Sequence, residues 1–152
     1  MDKEGFNTQK ELWHNSGIAN YSYTYSWDSY PPHDMILDVT VEGENISYEL
    51  IEYRGKKKSE ITDEDKISLE KIFAKEKLLI ENIYKYIETS IEDAYKSYKK
   101  YPNYYYNNVI FEFTNQAPFM TYYKMEAEFM EKNALGNWGY DEIKIENFKV
   151  LP

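Results

Sequence analysis

The most constraining stretch of the chain is Tyr21-Ser22-Tyr23-Thr24-Tyr25-Ser26-Trp27, where large aromatic and small polar side chains alternate without a break. Successive side chains of a β-strand point to opposite faces. As a strand, this segment therefore has one aromatic face and one small polar face. A helix would scatter the same rings around its axis. The aromatic face has to be covered, so the chain must build a sheet and pack something against it.

Other segments repeat the period of two. Met35, Leu37, Val39 and Val41 share one face, and Glu42-Gly43-Glu44-Asn45 is a turn into a return strand from Ile46 to about Tyr53. The pair reads as a hairpin. Between it and the first strand, Ser29-Tyr30-Pro31-Pro32-His33-Asp34 is a loop. Arg54-Gly55-Lys56-Lys57-Lys58-Ser59 reads as a solvated connection. Towards the C-terminus Val109, Phe111 and Phe113 alternate with Ile110, Glu112 and Thr114. A longer alternation then runs from Phe119 to Phe129. The last strand carries Ile143 and Ile145, then Phe148 and Val150. The jump from odd to even positions places a bulge, or the strand's end, near Asn147.

Helical signals fall between these strands. Thr8-Gln9-Lys10-Glu11 has the form of a capping box opening a short helix, with Leu12 and Trp13 as its apolar anchor. Gly17 is placed to end it in a left-handed conformation. Thr62 reads as the N-cap of a second helix over about 63–75, with Asp63, Glu64 and Asp65 in its first turn. In the third helix, Ile80, Ile83, Tyr84, Ile87, Ile91, Ala94, Tyr95 and Tyr98 recur at helical spacing, with Glu81–Lys85 and Glu92–Lys96 pairs on the opposite side. Tyr101-Pro102-Asn103 stops it. One stripe means one buried face. The order is α-βββ-αα-βββ, which predicts an α+β fold: one antiparallel sheet with helices on one face, and residues 1–152 as a single domain. A chain of 152 residues buries about 68–70% of its unfolded surface. It needs neither metal nor disulfide to fold.

Charge and composition narrow the partners. The formal charge is −9, from 27 acidic and 18 basic residues. That field repels phosphate backbones and anionic bilayers, which argues against a nucleic-acid partner and against direct membrane binding. There are no cysteines, so disulfides, thiol catalysis and thiolate metal sites are excluded. No apolar run approaches the ~18–20 residues that span a bilayer. The polar opening Met1-Asp2-Lys3-Glu4 is no signal peptide, so the expectation is a cytoplasmic protein or a mature form whose signal has been removed.

Catalytic and metal motifs are absent. His14 follows Glu11 by three residues, but two ligands are too few for a zinc site, so no metal or other cofactor is expected. His33-Asp34 reads as a surface turn. No nucleophile elbow, phosphate-cradling glycine loop, dinucleotide fingerprint or calcium loop occurs. Glu42 and Glu44 read as turn solvation. Glu112, Glu126 and Glu128 read as cross-strand partners of lysines. No residue is assigned a catalytic role. The aromatics remain, with 17 tyrosines, 7 phenylalanines and 3 tryptophans. Tyr104-Tyr105-Tyr106 and Tyr122-Tyr123 place tyrosine on both faces of their strands. With Tyr30 of the proline loop they form the candidate binding surface, because an exposed ring buries area at low entropic cost. Packing on the sheet or under a helix is the competing account of the same rings.

One ordered set of segments carries a resemblance. It comprises Trp13, Ile18 to Tyr25 with its Tyr-Ser-Tyr-Thr run, and Asp38 to Ile46 with the Val-x-Val-x-x-Gly hairpin. It continues through Ile80 to Glu88 and the closing Ile143-Lys144-Ile145-Glu146-Asn147-Phe148. The chain resembles a bacterial domain-of-unknown-function family of small predicted lipoproteins. It departs from that pattern at Phe113 to Pro118, where only the proline of the family's turn is kept. The resemblance implies an exported, cell-envelope or periplasmic protein, touching the membrane only through a lipid anchor that this chain lacks. It supplies no activity and no site residues. The expectation is a non-enzymatic domain that binds a protein, peptide or glycan through an aromatic surface. The alternatives are a carboxylate-dependent hydrolase, and an inhibitor or chaperone-like module acting through an open sheet face.

Overall fold

A computed structural model of the protein describes residues 3–29, 34–100, 105–113, 120–129 and 139–152. Helix α1 spans Lys3–Asn15 and is followed by strands β1 (Asn20–Ser29), β2 (Met35–Glu42), β3 (Asn45–Tyr53) and the two-residue β4 (Lys56–Lys57). Helices α2 (Asp63–Ile72) and α3 (Ile80–Lys100) come next, joined through a 3-10 turn over Lys75–Leu78. Strands β5 (Tyr105–Phe113), β6 (Met120–Phe129) and β7 (Gly139–Val150) complete the chain. The fold is α+β, in the order anticipated.

All strands join one seven-stranded sheet in the order β4-β3-β2-β1-β7-β6-β5. Every neighbouring pair is antiparallel. The chain thus forms two meanders that meet at the centre, where the first long strand pairs with the last. The expected bulge is present. Asn147 has a φ of 53°, and the β1–β7 register shifts between Ser22 and Thr24.

Burial alternates along β1 as the sequence demands. Tyr21, Tyr23 and Tyr25 are buried, while Ser22, Thr24 and Ser26 on the other face are partly exposed. The tyrosine face meets the helices. Trp13 of α1 stands edge-on to Tyr21 with ring centroids 5.2 Å apart, and Phe6 packs on Tyr84 of α3 at 5.5 Å. Such ring pairs add about 0.5–1.5 kcal/mol each beyond the area they bury. Leu37, Val39, Leu78, Ile80 and Ile87 fill the space between. The tyrosine hydroxyls have specific work at the start of α3. Tyr23 donates to the Leu78 carbonyl, and the Tyr21 hydroxyl accepts from the Ile80 N–H at 3.3 Å. The first N–H groups of a helix have no intrahelical partner, so these strands help to cap the helix lying on them.

Three local expectations are corrected, and a fourth, the solvated basic connection, is borne out as exposed and given its detail. Thr8 does not cap α1, which already begins at Lys3; its hydroxyl instead donates back to the Glu4 carbonyl at 2.9 Å, one turn earlier. Thr62 does cap α2, accepting from the Asp65 N–H at 3.2 Å, but the helix ends at Ile72 rather than near 75. Phe73 turns extended, with φ −134°, and its ring enters the core beside Tyr25. The basic connection after β3 is a tight turn, with Arg54 and Gly55 both at positive φ, and it returns as β4. On α3 the apolar stripe is buried only over its first turns. Tyr95 is exposed, and Lys96 pairs with Asp93 at 3.3 Å rather than with Glu92. The Tyr98 side chain, like the 114–119 turn, lies outside the described residues.

Candidate functional site

The helices cover one face of the sheet; among the described residues no helix lies on the other. Cross-strand register orders its side chains into rows. One row runs Glu49, Asp38, Thr24, Glu146, and the next runs Glu52, Ile36, Ser26, Lys144, Tyr122, Glu112. Asp28, Glu142, Lys124 and Ile110 form a third. Small polar residues of β1 thus form the floor of a field of carboxylates. Thr24 donates to Asp38 at 2.9 Å and accepts from Asn147 at 3.3 Å, which fixes the middle of that floor.

A groove of about 560 Å³ opens on this face. Asp28, Asp34, Glu52, Glu142 and Glu146 line it, and Lys144 is its one cation among the described residues. Lys144 is already engaged, with its ammonium 3.2 Å from Glu142 and 5.7 Å from the centre of the Tyr122 ring. Its hydrogen bond to Glu142 pushes the Lys144 pKa up. The Tyr122 pKa is raised as well, by burial and then by its hydrogen bond to Glu142. Among the described residues, the one neutralising charge in the groove is therefore already engaged by Glu142.

The candidate tyrosines divide. Tyr122 is half-buried and borders the acidic groove. Tyr123 points the other way and is 0% exposed, so it belongs to the core and not to a binding surface. Neighbouring positions on a strand must face opposite sides, and the covered side took Tyr123. Tyr30 and Tyr104 lie outside the described residues. Tyr105 and Tyr106 lie on β5, opposite Phe129 and Glu128, with side chains outside the described set. The large exposed aromatics among the described residues, Tyr86 and Tyr95, are on α3 and not on a strand. The expected aromatic patch on the sheet is not assembled from described residues. Glu112, Glu126 and Glu128 are in register with Tyr122, Tyr140 and Tyr106 on the neighbouring strands, not with lysines.

Sequence inspection missed Asp141. This carboxylate is 7% exposed at the start of β7, on the helix-covered side. The Trp27 indole donates to its Oδ1 at 2.6 Å, and the Tyr86 hydroxyl donates to its Oδ2 at 2.8 Å. Burial pushes its pKa above the usual carboxylate range, and the two hydrogen bonds pull against that shift. Burial, with the negative charge of Asp141 next, also raises the hydroxyl pKa values of Tyr25, Tyr86 and Tyr123. Nothing in the local sequence marks this residue, because its partners are 114 and 55 positions away.

His14 and Glu11 line a shallow pocket beside Glu81 and Tyr84. Among the described residues, no three His, Cys, Asp or Glu side chains converge as metal ligands. His33 lies outside the described residues. Among the described residues no helix is long and apolar enough to cross a membrane. No model of a known protein family matches the chain, and no curated protein matches it.

Proposed function

We propose that the protein is a non-catalytic binding module whose open sheet face takes a lysine- or arginine-rich segment of a protein partner. The observation that carries this reading is the groove in which, among the described residues, five carboxylates face a single lysine that is already paired. Opposite charge steers encounter and fixes register, and a half-buried ring such as Tyr122 offers a face to a guanidinium. The net charge of −9 extends the same bias beyond the groove. We assign the partner to the bacterial cell envelope on the resemblance to small lipoproteins alone. Mass-spectrometric mapping of the mature N-terminus in native cells tests that assignment, and an unprocessed, unlipidated terminus overturns it.

A carboxylate-dependent hydrolase is the weaker reading. A raised carboxyl such as Asp141 would suit a general acid, but Trp27 and Tyr86 occupy both of its oxygens. The test of the binding reading is an NMR titration with an arginine-rich peptide and an uncharged peptide of equal length. Shifts should concentrate at Ser26, Asp28, Ile36, Glu52 and Glu146. The triple variant Asp34→Asn/Glu52→Gln/Glu146→Gln should weaken binding by about tenfold or more, and salt should weaken it further. Shifts on the helical side, or equal binding by the variant, would overturn it.

A further inference from the structure

We propose a second site on the opposite face: a pocket that takes a small planar aromatic carboxylate. The pocket measures about 230 Å³ and lies between the sheet and the corner where α2 leads into α3. Its walls are Tyr25, Trp27, Phe73, Ile83, Tyr86 and Ile143. Four of those six side chains are aromatic. The volume is below the ~300–1,000 Å³ common for drug-sized ligands, which suits one or two fused rings.

Two features make this a built site and not a packing flaw. First, the ring walls are fixed from behind. The polar tips of Trp27 and Tyr86 both donate to the buried Asp141, so these rings are held in place by a shared acceptor. Phe73 is held against Tyr25 and Trp27, with centroids 6.2 and 6.4 Å apart. Second, the lining contains one charged residue, Lys77. Its ammonium lies 5.9 Å from the centre of the Phe73 ring, and no described carboxylate forms an ion pair with it. A ring seated in the pocket against Trp27 and Phe73 would gain offset or edge-on contacts, and a carboxylate on it would meet Lys77. A ring bearing a cation would meet the same ammonium and be repelled.

The probes are indole-3-acetate, its neutral amide and the cationic indole-3-ethylamine. Binding is measured on the folded full chain by calorimetry and by the indole N–H resonance of Trp27. Indole-3-acetate should bind at submillimolar concentration and shift that resonance, with the amide weaker and the amine weakest. Lys77→Gln, an exposed change that should leave the melting temperature in place, should weaken the acid by about tenfold and leave the amide unchanged. Ile83→Phe, checked for folding by its NMR spectrum, should fill the space and abolish binding of all three. No shift at Trp27 with any probe at millimolar concentration overturns the proposal. So does an amine that binds as tightly as the acid, or a Lys77→Gln protein that binds the acid unchanged. The site shares no lining side chain with the acidic groove except Trp27, so failure here leaves the peptide titration to stand or fall separately.

Discussion

Strand β1 has two faces made from one heptapeptide, and the sheet treats them in opposite ways. On the covered face, Tyr21 and Tyr23 are buried with their hydroxyls bonded to the backbone where α3 begins. On the open face, Ser22, Thr24 and Ser26 leave room for carboxylates from both neighbouring strands. The covered face uses tyrosine where phenylalanine would pack as well, because the hydroxyl supplies what a helix start lacks. The open face makes no such bond to a helix start, and in the reading proposed above its carboxylates serve a partner. Alternate residues of the same strand thus carry the helix-bound core on one side and the proposed recognition face on the other.

If that division is correct, substitutions on the two faces should differ in kind. The largest loss is expected at Leu37, which is fully buried against the helices; Leu37→Ala should cost about 2–5 kcal/mol in urea unfolding. Asp141→Ala should follow at about 1–3 kcal/mol, because it leaves the part-buried Trp27 and Tyr86 donors without their shared acceptor. Asp141→Asn sharpens the point through pH. The folded protein holds the Asp141 proton more tightly than the unfolded chain does. Relative to the asparagine variant, wild type should therefore lose stability as pH rises from the ordinary carboxyl range through the raised value, and then level off. Asp65 should show the reverse sign. The Thr62 N–H, and then Lys56, lower its pKa to about 2, so its contribution is present at neutral pH and lost as pH falls towards that value.

Two tyrosines on the covered side provide a finer test. Tyr23→Phe should cost about 1 kcal/mol, since it leaves the buried Leu78 carbonyl without that donor. Tyr53→Phe should cost nothing or stabilise slightly, because the Tyr53 hydroxyl is buried and finds no acceptor among the described residues. Equal losses at both would mean that the hydroxyls do not matter and that only ring volume does. The smallest effect is expected on the open face. There Glu52→Gln should change stability by less than about 0.5 kcal/mol while weakening a cationic peptide.

The alternation in β1, the β2–β3 hairpin and the Asn147 bulge were legible in the sequence because each is a local pattern of period two, or a break in one. The helix cap at Thr62 was legible for the same reason. What was not legible depends on distance along the chain. The Thr8 motif has the right letters for a cap, but α1 gains a further turn that buries Phe6 against Tyr84, and that contact overrides the local signal. Asp141 shows no motif, since its meaning comes from Trp27 and Tyr86, which only the assembled sheet and helix bring to it. The acidic groove was present as a net charge but not as a place, because the rows that form it need the β1–β7 register.

That register has a kinetic consequence. Asn20–Ser29 and Gly139–Val150 lie side by side at the centre of the sheet, and after β7 the Leu151 N–H still reaches the Asn20 carbonyl at 2.9 Å. Closing a loop of that length is entropically slow, so folding belongs with the millisecond-to-second class of non-local topologies. During synthesis, β1 emerges early and must wait, with its tyrosine row unsheltered by a central partner, until the last dozen residues of the sheet have been made. The aromatic strand that anchors the native protein is, for that interval, the segment most in need of protection from other chains.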